Sequence, residues 1–207
     1  MILKMVIFDL DGVLVDACDW HKDALNLALV EVCGHSISEE DHVSTFNGIP
    51  TKVKLTKLSE IGILDRSLHE KVFDLKQENT IALINERAKL RYEKIDMIKE
   101  LKRSGITVCC YTNSIKKTAH LMLQKTGVFD LLEEVITNED VVEPKPHPEG
   151  YNYLVKKYGF SPDEIVIVED SPKGLAAAHG SGCRVIKVDG PENTTLELFT
   201  DYLGEST

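Results

Sequence analysis

Two carboxylates stand at the end of an apolar segment near the start of the chain. Asp9 and Asp11 follow "MVIF", and Asp16 comes five residues after Asp11. The segment Met5–Phe8 predicts a buried strand. An Asp-Gly pair is also typical of a plain turn, which is the structural alternative. Carboxylates at a strand end would otherwise suit a divalent cation and a phosphoryl group.

Three more polar clusters follow apolar segments that predict strands. Thr112, Asn113 and Ser114 follow "ITVCCY", Lys145 lies beyond "EVIT" in "EPKPHPEG", and Glu169-Asp170 follow "IVIV". Ligands of parallel α/β sheets bind at the carboxyl ends of strands. We therefore expect all four clusters to meet at one edge of a sheet.

Together the clusters provide what phosphoryl transfer needs. Asp9 and Asp170 are the hard oxygen ligands that Mg²⁺ prefers. The Thr112 hydroxyl and the backbone N–H groups after it, at a helix start, suit a phosphate oxygen. Lys145 would offset the negative charge of the acids and of the phosphate. Such a site works mainly by positioning and charge stabilisation.

The elements that must position these residues alternate between strands and helices. Helical patterns separate four of the five predicted strands, the last of which is "RVIKV". This alternation predicts an α/β fold with a doubly wound parallel five-stranded sheet. The exception is a span of about seventy residues from Asp16 to Arg87, where only helical patterns occur. They cover residues 17–32, 39–46, 52–61 and 66–86, and predict an all-helical insertion.

Four segments carry a family resemblance: "FDLDGVLVD", "YTNS", "KPHP" and "VEDSPKG". In this order they resemble the motifs of the haloacid dehalogenase-like (HAD) phosphohydrolase superfamily. The helical insertion resembles the C1 cap of its β-phosphoglucomutase-like branch. The resemblance implies a Rossmann-like sheet of order 5-4-1-2-3. It also implies a core domain of residues 1–16 and 87–207 and a cap domain of residues 17–86, although "RYEK" replaces the Pro-Gly usual at the cap's return.

The resemblance also implies chemical roles. Asp9 would be the nucleophile that forms an aspartyl-phosphate, and Asp11 would be the general acid and then the general base. The Mg²⁺ cofactor would sit on the Asp9 carboxylate, the Asp11 carbonyl and Asp170, with Glu169 oriented through water. Because the nucleophile is an aspartate followed by a second acid, the chain resembles the phosphatases and mutases more than the dehalogenases.

The phosphate-binding residues implied by the resemblance are Thr112, Asn113, Ser114 and Lys145. Thr112 would hold a phosphoryl oxygen with help from the backbone of Asn113 and Ser114. Lys145 would bridge the nucleophile and the phosphate. The structural alternatives are a helix cap for Thr112 and a solvated loop lysine for Lys145.

The cap offers candidates for substrate recognition. His21 occupies a position that approaches the active site in some relatives, although an ordinary histidine on a helix surface fits as well. The segment "TFNGIPTK" resembles the loop that reads substrate in this branch. Its candidates are Asn47, Gly48 and Lys52, with a solvated lysine as the alternative for the last. Lys54 and Lys76 are further cationic candidates.

Composition limits the partners. The 207 residues carry a net charge of −10 and contain no basic run, so we expect no nucleic-acid partner. No apolar run reaches the length of a membrane span, so we expect no membrane partner either. The five cysteines form no C-x-x-C pair, which predicts reduced thiols and a cytoplasmic location. We expect a monomer, and an oligomer stays open.

The function predicted from these residues is that of a Mg²⁺-dependent phosphatase of a small phosphorylated metabolite, such as a sugar or polyol phosphate. The alternative is a phosphomutase of the β-phosphoglucomutase kind, with the same core residues. Ala17 stands where those mutases carry a hydroxyl residue, which favours hydrolysis. A non-catalytic binding protein is less favoured, since no catalytic residue is missing.

Overall fold

The computed structural model describes residues 2–46 and 49–203. The chain divides into two compact units. One comprises residues 1–16 and 88–207, and the other comprises residues 17–87. The second boundary lies one residue beyond the predicted one.

The first unit is built on a parallel sheet of five strands in the order β3-β2-β1-β4-β5. The strands are β1 (Met5–Phe8), β2 (Thr107–Tyr111), β3 (Glu134–Ile136), β4 (Ile165–Glu169) and β5 (Arg184–Lys187). This confirms the predicted fold class and strand order. Phe8 pairs with Cys110 on one side and Val168 on the other, so β2 and β4 each extend one residue past the end of β1.

The second unit is helical throughout its described residues, as predicted. Its elements are α1 (Cys18–Cys33), α2 (Glu39–Asp41), a π-helical turn (His42–Phe46), α3 (Thr51–Glu60), a 3-10 turn (Arg66–Leu68) and α4 (His69–Arg87). Its core contains Leu25, Leu29, Leu55 and Val72. The predicted helix over residues 39–46 is correct in extent but widens to π geometry at His42.

The helices of the first unit cover the sheet. They are α5 (Tyr92–Arg103), α6 (Lys116–Thr126), α7 (Glu149–Tyr158), α8 (Pro172–Gly180) and α9 (Thr200–Leu203). Helices α6 and α7 end at Gly127 and Gly159, both in the left-handed conformation that favours glycine there. Pro148 is the N-cap residue of α7.

None of the helices among the described residues is long and apolar enough to cross a bilayer.

Candidate active site

A buried ion pair lies at the carboxyl end of the sheet. Asp9 follows β1, and its N–H donates to the Val168 carbonyl of β4 at 3.0 Å. Lys145 Nζ donates to Asp9 Oδ1 at 2.6 Å, to the Tyr111 carbonyl at 2.8 Å and to Glu169 Oε1 at 2.5 Å. An ammonium has three N–H groups. All three are therefore occupied by protein acceptors.

Glu169, the last residue of β4, is fully buried. Its Oε1 accepts a second hydrogen bond from the Tyr151 hydroxyl at 2.7 Å, and its Oε2 accepts one from the Asp170 N–H at 3.2 Å. A Cβ at Gly174 would lie 2.0 to 2.1 Å from the atoms of this carboxylate. The first turn of α8 can therefore pack against Glu169 only because residue 174 has no side chain.

Two tyrosines frame the Lys145 ammonium. Nζ lies 4.8 Å from the ring centroid of Tyr111 and 5.2 Å from that of Tyr151, and the two rings meet edge to face at 4.9 Å. The face of an aromatic ring attracts a cation. Gly150 is required here too, because a Cβ would approach the Tyr111 ring to 2.4 Å. Sequence reasoning missed both tyrosines.

Asp11 is connected to the predicted phosphate-binding segment. Its Oδ2 accepts hydrogen bonds from the Ser114 hydroxyl at 2.8 Å and from the Thr112 hydroxyl at 3.3 Å. The Thr112 hydroxyl oxygen in turn accepts the Ser114 N–H at 3.0 Å. The structure thus brings these three residues together and holds the Asp11 carboxylate by two hydroxyl donors.

Asn113 has a contact that the sequence did not indicate. Its amide donates to the Lys145 carbonyl and accepts from the Lys145 N–H, both at 3.0 Å. The side chain therefore fixes the backbone that carries the ammonium. The phosphate contact predicted for the backbone N–H of Asn113 stays a prediction.

Three carboxylates of this site could hold a metal ion: those of Asp9, Glu169 and Asp170. One oxygen from each lies within 4.8 Å of the others. Asp170 Oδ1 is buried and has no hydrogen-bond partner among the described residues. Gly12 has a φ of +90°, and a Cβ there would lie 2.2 Å from Asp170 Oδ2. Hard oxygen donors around an unpartnered carboxylate oxygen fit Mg²⁺.

The electrostatics of the cluster favour a bound cation. Burial raises the pKa of Asp170 to about 6, and the charge of Glu169 adds to this rise. Burial also raises the pKa of Asp9 well above its usual value, against the opposing effect of Lys145. Burial alone would lower the pKa of Lys145, but the facing Asp9 carboxylate and other neighbours reverse this and raise it. A divalent cation would favour the ionised carboxylates.

The predicted recognition residues of the second unit lie on its helices. His21 Nδ1 of α1 is 3.4 Å from Lys76 Nζ of α4. Lys52 is exposed at the start of α3, with its Nζ 5.8 Å from the ring centroid of Phe73. Substrate contact by these residues stays a prediction. Two further candidates lie outside the described residues: Asn47 and Gly48.

Comparisons with known proteins agree with the motifs. Residues 6–188 match the model of a family described as haloacid dehalogenase-like hydrolase. The chain is 28% identical over 189 residues to a phosphoglycolate phosphatase of Vibrio vulnificus (strain CMCP6), covering 87% of this chain and 81% of the relative. It is 25% identical over 188 residues to the pyrophosphatase PpaX of Oceanobacillus iheyensis, covering 91% and 84%.

A solved structure shows the same fold. CbbY from Rhodobacter sphaeroides, crystallised in complex with phosphate, superposes with a TM-score of 0.81 at 24% identity. The superposition covers 91% of this chain and 87% of CbbY.

Proposed function

The chain belongs to the haloacid dehalogenase-like hydrolase family, and from this premise we propose that it is a Mg²⁺-dependent phosphatase that uses Asp9 as a nucleophile. The family and the phosphatase-named relatives show the class of enzyme. The proposal adds the residues, the metal and the substrate class. The observation that carries it is the buried Asp9 carboxylate, paired with Lys145 at 2.6 Å and adjoining Asp170.

The first step is an attack by Asp9 on phosphorus. Its Oδ1 accepts the Lys145 hydrogen bond, so we assign the attack to Oδ2. The new bond joins Oδ2 to phosphorus, while the bond from phosphorus to the leaving oxygen breaks. Asp11, held by the Ser114 and Thr112 hydroxyls, gives a proton to that oxygen.

In the second step Asp11 acts as a base, whereas in the first step it acts as an acid. Asp11 takes a proton from a water molecule, and the water oxygen bonds to phosphorus. The bond between phosphorus and Asp9 Oδ2 then breaks, which releases phosphate and restores the carboxylate. One acid thus serves both steps, because it ends the first step in the form that the second step needs.

Asp9, Asp170 and the Asp11 carbonyl would hold Mg²⁺. Glu169 lies within the same cluster, but its carboxylate already accepts from Lys145, Tyr151 and the Asp170 N–H. We therefore place Glu169 outside the inner coordination shell, acting through water. When bound, Mg²⁺ would neutralise charge on the phosphoryl oxygens.

The substrate that we propose is a small phosphorylated metabolite of the sugar or polyol phosphate class. The relatives named above extend the substrates to be tried to phosphoglycolate and pyrophosphate. A phosphomutase stays the alternative, because it would use the same core residues. It would differ by moving the phosphoryl group between two hydroxyls of a sugar without releasing phosphate.

The test is phosphate release from p-nitrophenyl phosphate and from this substrate panel, with Mg²⁺ or with EDTA. We expect turnover that requires Mg²⁺ and is lost in Asp170→Asn. The matched control is Asp163→Asn, an exposed aspartate in the turn that precedes β4, at the opposite end of that strand. Full turnover in EDTA would refute the metal requirement, and sugar phosphate isomerisation without phosphate release would favour the mutase.

A further inference from the structure

The phosphate-bridging role that the family resemblance implies for Lys145 conflicts with the hydrogen bonds of this side chain. To contact a phosphoryl oxygen, its ammonium must offer an N–H group. All three are already donated, to Asp9 Oδ1, the Tyr111 carbonyl and Glu169 Oε1. Lysine has no fourth donor. One of these bonds must therefore be given up when a phosphoryl group arrives.

The two carboxylate acceptors differ in what each would lose. For Asp9 Oδ1, Lys145 is the one donor found among the described residues. Glu169 Oε1 has a second donor, the Tyr151 hydroxyl at 2.7 Å. A buried carboxylate oxygen left without a donor is costly. Of the two carboxylate bonds of Lys145, the bond to Glu169 is therefore the one that can be exchanged while the carboxylate oxygen keeps a donor.

From this geometry we propose that Tyr151 is a positioning residue, whose hydroxyl holds Glu169 while Lys145 turns an N–H group to the phosphoryl oxygen. The inference rests on the proposed function. Tyr151 is fully buried, and its edge-to-face contact with Tyr111 fixes the ring. The hydroxyl is therefore held at Glu169 both before and after the exchange.

The variant that tests this is Tyr151→Phe, which keeps the ring and removes the hydroxyl. Glu169 Oε1 then depends on Lys145 alone and competes with the phosphoryl group for it. We expect the affinity for inorganic phosphate, at saturating Mg²⁺, and kcat each to fall by about tenfold or more, from the lower end of the range for a hydrogen bond to a charged group upward. Mg²⁺ affinity without phosphate should change less than about twofold, because the competition then does not arise.

Isothermal calorimetry measures both affinities directly. Inorganic phosphate is titrated into the Mg²⁺-saturated protein, and Mg²⁺ is titrated in the absence of phosphate. The matched control is Tyr153→Phe on the same helix, whose exposed hydroxyl contacts Glu134 at 3.2 Å. It should leave both affinities unchanged. Circular dichroism melting verifies that each variant is folded.

A double-mutant cycle separates the hydrogen bond from packing. Glu169→Gln replaces the charged acceptor by a neutral one, which competes weakly for Lys145. In that background Tyr151→Phe should cost less than about twofold. If Tyr151→Phe does not fold, Glu169→Gln alone tests the competition for Lys145: phosphate affinity should rise or stay equal, and a fall would overturn the inference.

Three results would overturn the inference: unchanged phosphate affinity in Tyr151→Phe, an equal loss of Mg²⁺ affinity, or the same loss in the Glu169→Gln background. A wild type that neither binds phosphate nor hydrolyses any substrate would refute the proposed function as well. The two failures are therefore distinguishable by the behaviour of the wild type.

Discussion

Replacing Gly174 by alanine should dislodge Glu169. The added Cβ would lie 2.0 to 2.1 Å from the atoms of the Glu169 carboxylate, far inside van der Waals contact. Gly174 lies in the first turn of α8 and its N–H is bonded to the Ser171 hydroxyl. Either the carboxylate leaves its position, or α8 moves off the sheet.

The cost follows from the contacts that Glu169 would lose. Separating it from Lys145 breaks a buried ion pair, which typically costs about 3–5 kcal/mol. Alanine is favoured over glycine in a helix by about 1 kcal/mol. Gly174→Ala should therefore lower the free energy of unfolding by about 2–4 kcal/mol, measured by urea denaturation. Phosphatase turnover should fall as well, because Glu169 belongs to the carboxylate cluster that would hold Mg²⁺.

The matched control is Gly180→Ala at the other end of α8. There the added Cβ would lie 3.3 Å from two carbons of Pro148, a contact that a shift of a few tenths of an ångström relieves. The helix preference and the tight contact oppose each other, so stability should stay within about 1 kcal/mol of wild type. If Gly174→Ala has wild-type stability and turnover, neither property depends on the position of the Glu169 carboxylate, and this prediction is wrong.

Three further variants test other contacts. Tyr111→Phe removes a buried hydroxyl that has no hydrogen-bond partner among the described residues. The free energy of unfolding, measured in urea, should therefore rise or stay equal. A decrease of more than about 1 kcal/mol would contradict this. Asn113→Ala removes both hydrogen bonds to the Lys145 backbone and should cost about 1–3 kcal/mol together with lower kcat. A higher KM at unchanged stability would instead make Asn113 a substrate ligand. Because the pKa of Asp170 is raised from 3.8 to about 6, the metal-free folded state binds more protons than the unfolded state between these values. The free energy of unfolding should therefore fall as the pH rises through this window. The decrease per pH unit should be smaller in Asp170→Asn. Equal decreases in the two proteins would show that Asp170 is not the group that titrates.

The sheet and the meeting of the motifs could be predicted because the signals are local. Each strand is a short apolar segment, and a parallel sheet places the ends of such segments at one edge. Asp9, Thr112, Lys145 and Asp170 followed from that rule. It needs the order of elements along the chain and no knowledge of side-chain conformation.

The contacts around Lys145 could not be predicted in this way. Tyr151 lies on α7 and reaches Glu169 of β4, and Asn113 reaches the Lys145 backbone. Both contacts depend on how far a side chain extends across neighbouring elements, which hydrophobic periodicity does not encode. The glycines at 12, 150 and 174 could be recognised as required only once the groups packed against them were known.

The helical unit was predicted in outline, but its details were not. The π-helical turn at His42–Phe46 has a pattern of apolar residues too short to separate from that of an α-helix. Recognition of substrate by His21 and Lys52 stays a prediction, as do the cytoplasmic location and the monomeric state.

The central claim is that the phosphoryl group passes through Asp9. The most direct measurement is acid quench of Asp11→Asn during turnover of p-nitrophenyl phosphate, followed by peptide mapping. This variant lacks the base that activates water, and p-nitrophenolate leaves without a proton. We expect a burst of p-nitrophenol and a phosphoryl group on Asp9, with neither in Asp9→Asn. Near-wild-type turnover by Asp9→Asn, or a phosphoryl group trapped on another residue, would contradict the account.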